Sequence, residues 1–154
     1  MTLVITGATG ALGRLVIENL LKSVPPSRIV AVARNVEKAR DLADRGIEVR
    51  YGDYDDPASL PNAFAGADKL LFVPTPLADN AMRVVQNAHV IKAARDAGVK
   101  HILYTGYAFA EHSSLPLTRV HLATEYGIQA AEIPYTFLRN SLYLHLFLDP
   151  GLLR

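Results

Sequence analysis

The sequence predicts an α/β protein built on a doubly wound parallel sheet, a three-layer αβα arrangement. Three observations predict it. Short apolar runs alternate with segments of helical period along the whole chain. The apolar runs are continuous rather than alternating, as in strands buried on both faces. The first run ends in Gly7, Gly10 and Gly13, and a helical pattern follows at once.

Taken in order, residues 3–6 form the first strand. Leu12, Leu15, Val16, Asn19 and Leu20 then recur at helical spacing, and Pro25-Pro26 ends that helix. Residues 29–33 are the second strand, and residues 36–45 a helix that stops at Gly46. Residues 48–51 give the third strand. Asp55 or Asp56 then stands where it can cap a helix opening at Pro57. The fourth strand spans residues 69–73. A long helix over residues 80–97 shows an apolar face at Val84, Ala88, Ile91 and the stem of Arg95, closed by Gly98. Residues 101–105 form the fifth strand, 117–131 a helix, 135–139 the sixth strand, and 141–148 open another helix. Right-handed crossovers and a glycine turn after strand one give the strand order 3-2-1-4-5-6.

The bulk numbers narrow the class. The 154 residues suffice for one domain with a real core, and half of them are hydrophobic. Sixteen basic and 15 acidic residues leave a net charge of +1, which points to neither nucleic acid nor an acidic membrane surface as partner. With no cysteine there is no disulfide framework and no thiolate chemistry. No apolar run reaches the about 18 residues of a membrane-spanning helix, and the N-terminus opens directly on a strand without a signal-peptide pattern. The expectation is a soluble cytoplasmic protein.

Strand, glycine turn and helix in that order make a dinucleotide phosphate site of Rossmann-like type. The glycines let the backbone approach a pyrophosphate, and the helix aims its free N–H groups at the charge. The spacing here is G-x-x-G-x-x-G. In such a sheet ligands lie beyond the carboxyl ends of the strands. That selects Gly7, Ala8, Thr9, Gly10, Ala11, Leu12 and Gly13, then Arg34, Asp53-Tyr54, Pro74-Thr75-Pro76, Gly106-Tyr107 and residues 140–143.

A site for NAD usually carries an acidic residue after strand two, to bind the ribose hydroxyls; here the chain reads Ala33-Arg34-Asn35. A guanidinium suits a 2′-phosphate, which it grips with two N–H bonds, so NADPH (NADP) is favoured over NADH. Asp53 and Tyr54 fit two roles equally: flanking an adenine ring, or capping and packing. Pro74, Thr75 and Pro76 either contact the nicotinamide ribose or serve only to fix their loop.

Reductases of this architecture often use a Tyr-x-x-x-Lys pair, in which the lysine lowers the tyrosine pKa. None of the seven tyrosines has lysine four positions on, and strand five ends in Thr105-Gly106 without the serine often found there. A quinone can accept hydride and take its proton from water, so a quinone reductase remains open. So does a protein that binds the nucleotide only as a signal. His121 and Glu125 stand four apart on one helix, a spacing that could hold a metal. No third ligand is near in sequence, and a surface hydrogen bond is the plainer reading.

These features resemble the NmrA-like branch of the atypical short-chain dehydrogenase/reductases, and within it the bacterial NADPH:quinone oxidoreductases of type 2. The matching stretches are Ile5-Thr6-Gly7-Ala8-Thr9-Gly10-Ala11-Leu12-Gly13, Val32-Ala33-Arg34-Asn35 and Gly52-Asp53-Tyr54. They continue with Ala93-Ala94-Arg95-Asp96-Ala97-Gly98-Val99-Lys100, His121-Leu122-Ala123-Thr124-Glu125 and Pro134-Tyr135-Thr136-Phe137-Leu138-Arg139-Asn140. The resemblance implies that residues 7–12 hold the pyrophosphate and Arg34 the 2′-phosphate. It also implies that residues 74–76 and Asn140 border the nicotinamide, and that Gln86, Tyr107 and Tyr143 face a small-molecule substrate such as a quinone. The lysine that often follows the Thr-Glu pair is Tyr126 here, and Gly106 stands where a serine is common.

Such proteins usually run to nearly twice this length. The chain looks like their NAD(P)-binding Rossmann domain over residues 1–154, without the usual C-terminal substrate domain. Residues 142–148 are strongly apolar, and an exposed patch there implies self-association as a homodimer. Three readings remain: an NADPH-dependent oxidoreductase of the quinone-reductase type, a non-catalytic NADP(H)-sensing regulator of the NmrA type, or an inactive fragment that keeps only the fold.

Overall fold

A computed structural model describes residues 1–76 and 79–141. Six strands form one wholly parallel sheet: β1 (Leu3–Ile5), β2 (Ile29–Ala33), β3 (Glu48–Tyr51), β4 (Lys69–Phe72), β5 (Ile102–Tyr107) and β6 (Tyr135–Asn140). Their order is β3-β2-β1-β4-β5-β6, the Rossmann-like order expected from the sequence. β1 pairs with β2 through Val4 and Val30 and with β4 through Val4 and Leu70, so it lies at the centre where the order reverses.

Alternate residues of the strands feed two cores, because strand side chains change face at every position. On one face Val4, Val30, Val32, Leu70, Phe72, Ile102 and Tyr104 meet the helices α3 (Leu60–Phe64), α4 (Asn80–Asp96) and α5 (Pro116–Ala130). On the other, Ile5, Ile29, Ala31 and Ala33 meet α1 (Ala11–Leu20) and α2 (Arg40–Ala43). Both faces of β1 and β2 are therefore covered, which is why their runs read as continuously apolar.

Four local expectations are corrected. The helix expected over residues 36–45 is a 3-10 turn, Val36–Ala39, followed by the short α2. The helix expected at Pro57 also opens as a 3-10 turn, Pro57–Ser59, and no aspartate side chain caps it. The Asp55 and Asp56 carboxylates accept from Gln86 (2.7 Å) and the Tyr51 hydroxyl (3.4 Å) instead, while Ser59 Oγ accepts from the Asp53 N–H (2.9 Å) and donates to the Asp56 carbonyl (2.6 Å). β5 runs two residues further than expected, to Tyr107. On α4 the buried face is Arg83, Gln86, Asn87, Val90, Ala93 and Ala94, whereas Val84 is exposed. The first half of that face is polar, so apolar periodicity does not mark it. The helix expected over residues 141–148, and the apolar patch with it, fall outside the described residues. Among the described residues, no helix is long and apolar enough to cross a membrane.

The contact that seats α1 is set by Gly13. A Cβ there would stand 2.2 Å from the Gly7 carbonyl oxygen and 2.9 Å from Ala8 Cα. Only a residue without a side chain lets the helix lie so close to the turn. Gly13→Ala is expected to cost about 3 kcal/mol of stability through backbone displacement. Urea unfolding reads this, and wild-type stability in the variant would contradict the close-packing account.

Candidate functional site

A cleft of about 400 Å³ opens at the carboxyl ends of β1, β2, β3 and β4. Thr6 ties its floor together: the hydroxyl donates to the Leu71 carbonyl (3.1 Å) and accepts from the Val73 N–H (2.9 Å). Gly7 then turns the chain with φ +62°, a conformation costly for residues with a side chain, and its carbonyl accepts from the Gly10 N–H at 2.9 Å. α1 starts at once. Its N-cap, Gly10, supplies no side-chain cap, its first turn holds no acidic residue, and the first helical bond runs from the Arg14 N–H to the Gly10 carbonyl (3.0 Å). The N–H groups of Ala11, Leu12 and Gly13 therefore have no partner within the helix, and all three residues line the cleft. Together with the helix dipole they form an anion-binding end.

Thr9 lines the same wall. Ala8 does not. Its side chain is fully buried in the core, and its N–H donates to the Val32 carbonyl (3.3 Å).

Arg34, Asn35 and Lys38 line the far end, beyond β2. Lys38 was not singled out from the sequence, although a second cation four residues after Arg34 was a usable signal. Asn35 caps the turn that presents it, its Oδ1 accepting from the Lys38 N–H at 3.3 Å. Arg14 of α1 clamps this turn, donating to the Lys38 carbonyl (2.7 Å) and to both oxygens of Asp41 (2.6 and 3.1 Å). The nearby acid is thus occupied by Arg14.

Asp53 and Tyr54 also line the cleft, and each has a structural tie. Asp53 Oδ1 accepts from the Asp55 N–H (3.0 Å). The Tyr54 hydroxyl donates to the Val73 carbonyl (2.9 Å), and its ring stands edge-on to Phe72; burial pushes its pKa well above the ordinary tyrosine value. Pro74, Thr75, Pro76 and Gln86 complete the lining. Gln86 donates to Asp55 Oδ1, so it shares this cleft and faces the loop after β3. Tyr107 lines a separate depression of about 250 Å³ with Phe109 and His112. Asn140 ends β6 opposite Tyr107, and its carbonyl accepts from the Ala108 N–H (2.9 Å). Tyr143 lies outside the described residues.

A buried polar seam runs behind the cleft between α4, β5 and α5. The Tyr104 hydroxyl and His121 Nδ1 lie 2.7 Å apart. Burial raises the tyrosine pKa and lowers that of His121 to about 4, so both are neutral near pH 7. Glu125, four residues on, accepts two bonds from Arg139 (3.0 and 2.6 Å), which also reaches Glu111 at 2.9 Å. The surface hydrogen bond expected of His121 and Glu125 is therefore corrected. Both are buried, and each holds a different partner. Gly106 makes room for this pair, since a Cβ there would stand 3.0 Å from Glu125 Oε1.

The model of the NmrA-like family matches residues 1–152. The chain belongs to the NmrA-like family. It is 46% identical over 144 residues to quinone oxidoreductase 2 of Escherichia coli, covering 94% of this chain and 50% of that protein. Among solved structures it is similar to Citrobacter sp. triphenylmethane reductase complexed with NADP(H), with 61% identity and a TM-score of 0.96, over 99% of this chain and 53% of that one. It is also similar to the E. coli NADPH-dependent quinone oxidoreductase complexed with NADPH, with 46% identity and a TM-score of 0.90, over 96% and 51%. The chain spans about half the length of these relatives.

His121 sets an acid limit on stability. The unfolded chain takes up a proton at histidine near pH 6.5, while the folded chain does so only near 4. Its contribution is complete above about pH 6.5 and is lost as pH falls toward 4, by on the order of 2 kcal/mol. Asp68 acts lower: a hydrogen bond from Lys100 and one from the Thr2 N–H hold it at about 2, so its contribution is lost between about pH 4 and 2. Chemical unfolding across pH 3–8 is expected to slope between 6.5 and 4 in the wild type and to flatten there in His121→Gln. An unchanged slope in the variant would contradict the assignment.

Proposed function

We propose that this chain is the NADPH-binding part of a cytoplasmic oxidoreductase that reduces quinone-type acceptors by hydride transfer. The observation that carries the reading is the cleft itself. Three unpartnered helix N–H groups stand at one end and two cations, Arg34 and Lys38, at the other. That is the charge pattern of a pyrophosphate and a 2′-phosphate in one molecule. The likeness to two NADP(H)-complexed reductases supports it.

In this reading the turn from Gly7 to Gly13 holds the pyrophosphate, and the close seating of α1 that Gly13 permits, with its first amides free at the cleft, is the fit a phosphate cradle needs. Arg34 with Lys38 holds the 2′-phosphate. Asp53 and Tyr54 flank the adenine, and Gln86, which donates to Asp55, faces the acceptor from the same cleft. Residues 74–76 and Asn140 border the nicotinamide, and Tyr107 and Tyr143 lie toward the acceptor. The bound cofactor supplies the hydride. The protein's own part is orientation and exclusion of water. Neither His121, neutral with its Nδ1 on Tyr104, nor Glu125, held by Arg139, is poised as a strong acid. An acceptor that takes its proton from water suits that chemistry. Association of two copies belongs to the same proposal and is read by light scattering.

A second reading replaces the quinone by a triphenylmethane dye, on the strength of the 61% identity to triphenylmethane reductase. Such a dye is a carbocation that needs hydride and no proton. A regulator that senses NADP(H) without turnover is the remaining alternative. NADPH oxidation with a panel of quinones and a triphenylmethane dye separates the three. Faster turnover with quinones supports the first reading, dye turnover the second, and tight binding with no turnover the third. For the cofactor, Arg34→Ala is expected to weaken NADPH binding about tenfold or more while leaving NADH nearly unchanged. Equal affinities for the two nucleotides, indifferent to the mutation, would contradict the assignment.

A further inference from the structure

Arg14 follows directly on the glycine turn, and its backbone and side chain serve different ends of the cleft. Its N–H donates to the Gly10 carbonyl (3.0 Å) and closes the first turn of α1. Its guanidinium leaves the helix and crosses to the stretch after β2. Nη2 donates to the Lys38 carbonyl (2.7 Å) and to Asp41 Oδ1 (3.1 Å), and Nη1 donates to Asp41 Oδ2 (2.6 Å). A cation so near the start of a helix stands at the unfavourable end of its dipole. The Arg14 and Asp41 side chains are 38% and 55% exposed, and ion pairs in such water-rich surroundings add little to stability. The fold alone therefore gains little from an arginine here.

What Arg14 holds is more informative. Arg14 does not line the cleft, but Lys38 does, beside Arg34. Neither Arg34 nor Lys38 is ion-paired among the described residues, so both cations are open to an anion. Asp41 is the threat to that arrangement. One nitrogen of Arg14 binds both the Asp41 carboxylate and the Lys38 carbonyl, so the carboxylate stands a single guanidinium away from the Lys38 backbone. The hydrogen bonds from Arg14 hold the Asp41 carboxyl below its usual range, and it is fully charged at neutral pH. Unpaired, it would compete for the Lys38 ammonium and repel an anion brought to this end. The fork from Arg14 occupies both of its oxygens. Further along α1, Glu18 is taken in the same way by Arg45, beyond α2.

We infer that Arg14 is a positioning residue for the discrimination of NADP(H) from NAD(H), presenting Lys38 to the 2′-phosphate and keeping Asp41 from opposing it. This rests on the assignment of that phosphate to Arg34 and Lys38 above. The two phosphate ends of the cleft are then joined through one residue. The backbone of Arg14 belongs to the helix that meets the pyrophosphate, and its side chain holds the turn that meets the 2′-phosphate.

NAD⁺ and NADP⁺ differ only by the 2′-phosphate, so the ratio of their affinities in titration calorimetry isolates this end of the cleft without turnover. Arg14→Met is expected to lower the preference for NADP⁺ about fivefold, with NAD⁺ affinity within about twofold of wild type. Asp41→Asn is expected to keep or raise the preference. The double variant Arg14→Met with Asp41→Asn is expected to recover part of what Arg14→Met loses. A merely structural role would weaken both nucleotides alike. A preference unchanged in Arg14→Met, a loss shared equally by NAD⁺, or a double variant no better than Arg14→Met would each overturn the inference. Failure of the underlying assignment shows separately, as an NADP⁺ preference that survives Arg34→Ala.

Discussion

Everything at the nucleotide end depends on how closely α1 approaches the turn after β1. Gly13 lies against the Gly7 carbonyl with no room for a Cβ, and that contact seats the helix directly on the end of the strand. The consequence is electrostatic. The first N–H groups of α1 project into the cleft, with neither side-chain cap nor acid to satisfy them. Thr6 fixes the same point from below by bridging β1 to β4, and Arg14 carries the fixed position across to the turn that bears Lys38. Helix, strand and the turn bearing the second cation are thus tied together by hydrogen bonds.

The other half of the site is built differently. Behind the cleft, polar groups join the apolar packing where α4 and α5 meet the sheet. Asn87 donates to Thr124, Arg139 donates to Glu125, and Tyr104 is hydrogen-bonded to His121. Most of these groups satisfy one another, and burial keeps His121 neutral. These bonds tie α4, β5 and β6 to α5 behind the cleft.

The sheet order and the phosphate turn were legible because each rests on local physics. Continuous apolar runs mark strands covered on both faces, and glycines mark backbone that must approach closely. What the sequence concealed depends on tertiary partners. The buried face of α4 begins Arg83, Gln86, Asn87, which no hydrophobic pattern would select as an inward face. Asp55 and Asp56 have the composition of helix caps, but Gln86 and Tyr51 lie within reach and take their carboxylates. His121 and Glu125 looked like a surface pair because their spacing says nothing about Tyr104 or Arg139, which bury them. Lys38 is legible as a second cation four residues after Arg34.

The central claim is that the free amides at the start of α1 receive the cofactor's pyrophosphate. Backbone amide NMR during NADPH titration tests it most directly. The account predicts that the N–H resonances of Ala11, Leu12 and Gly13 shift downfield and saturate together, while Ala8, whose N–H is already bonded to Val32, moves little. Saturable NADPH binding that leaves those three amides unmoved would contradict it.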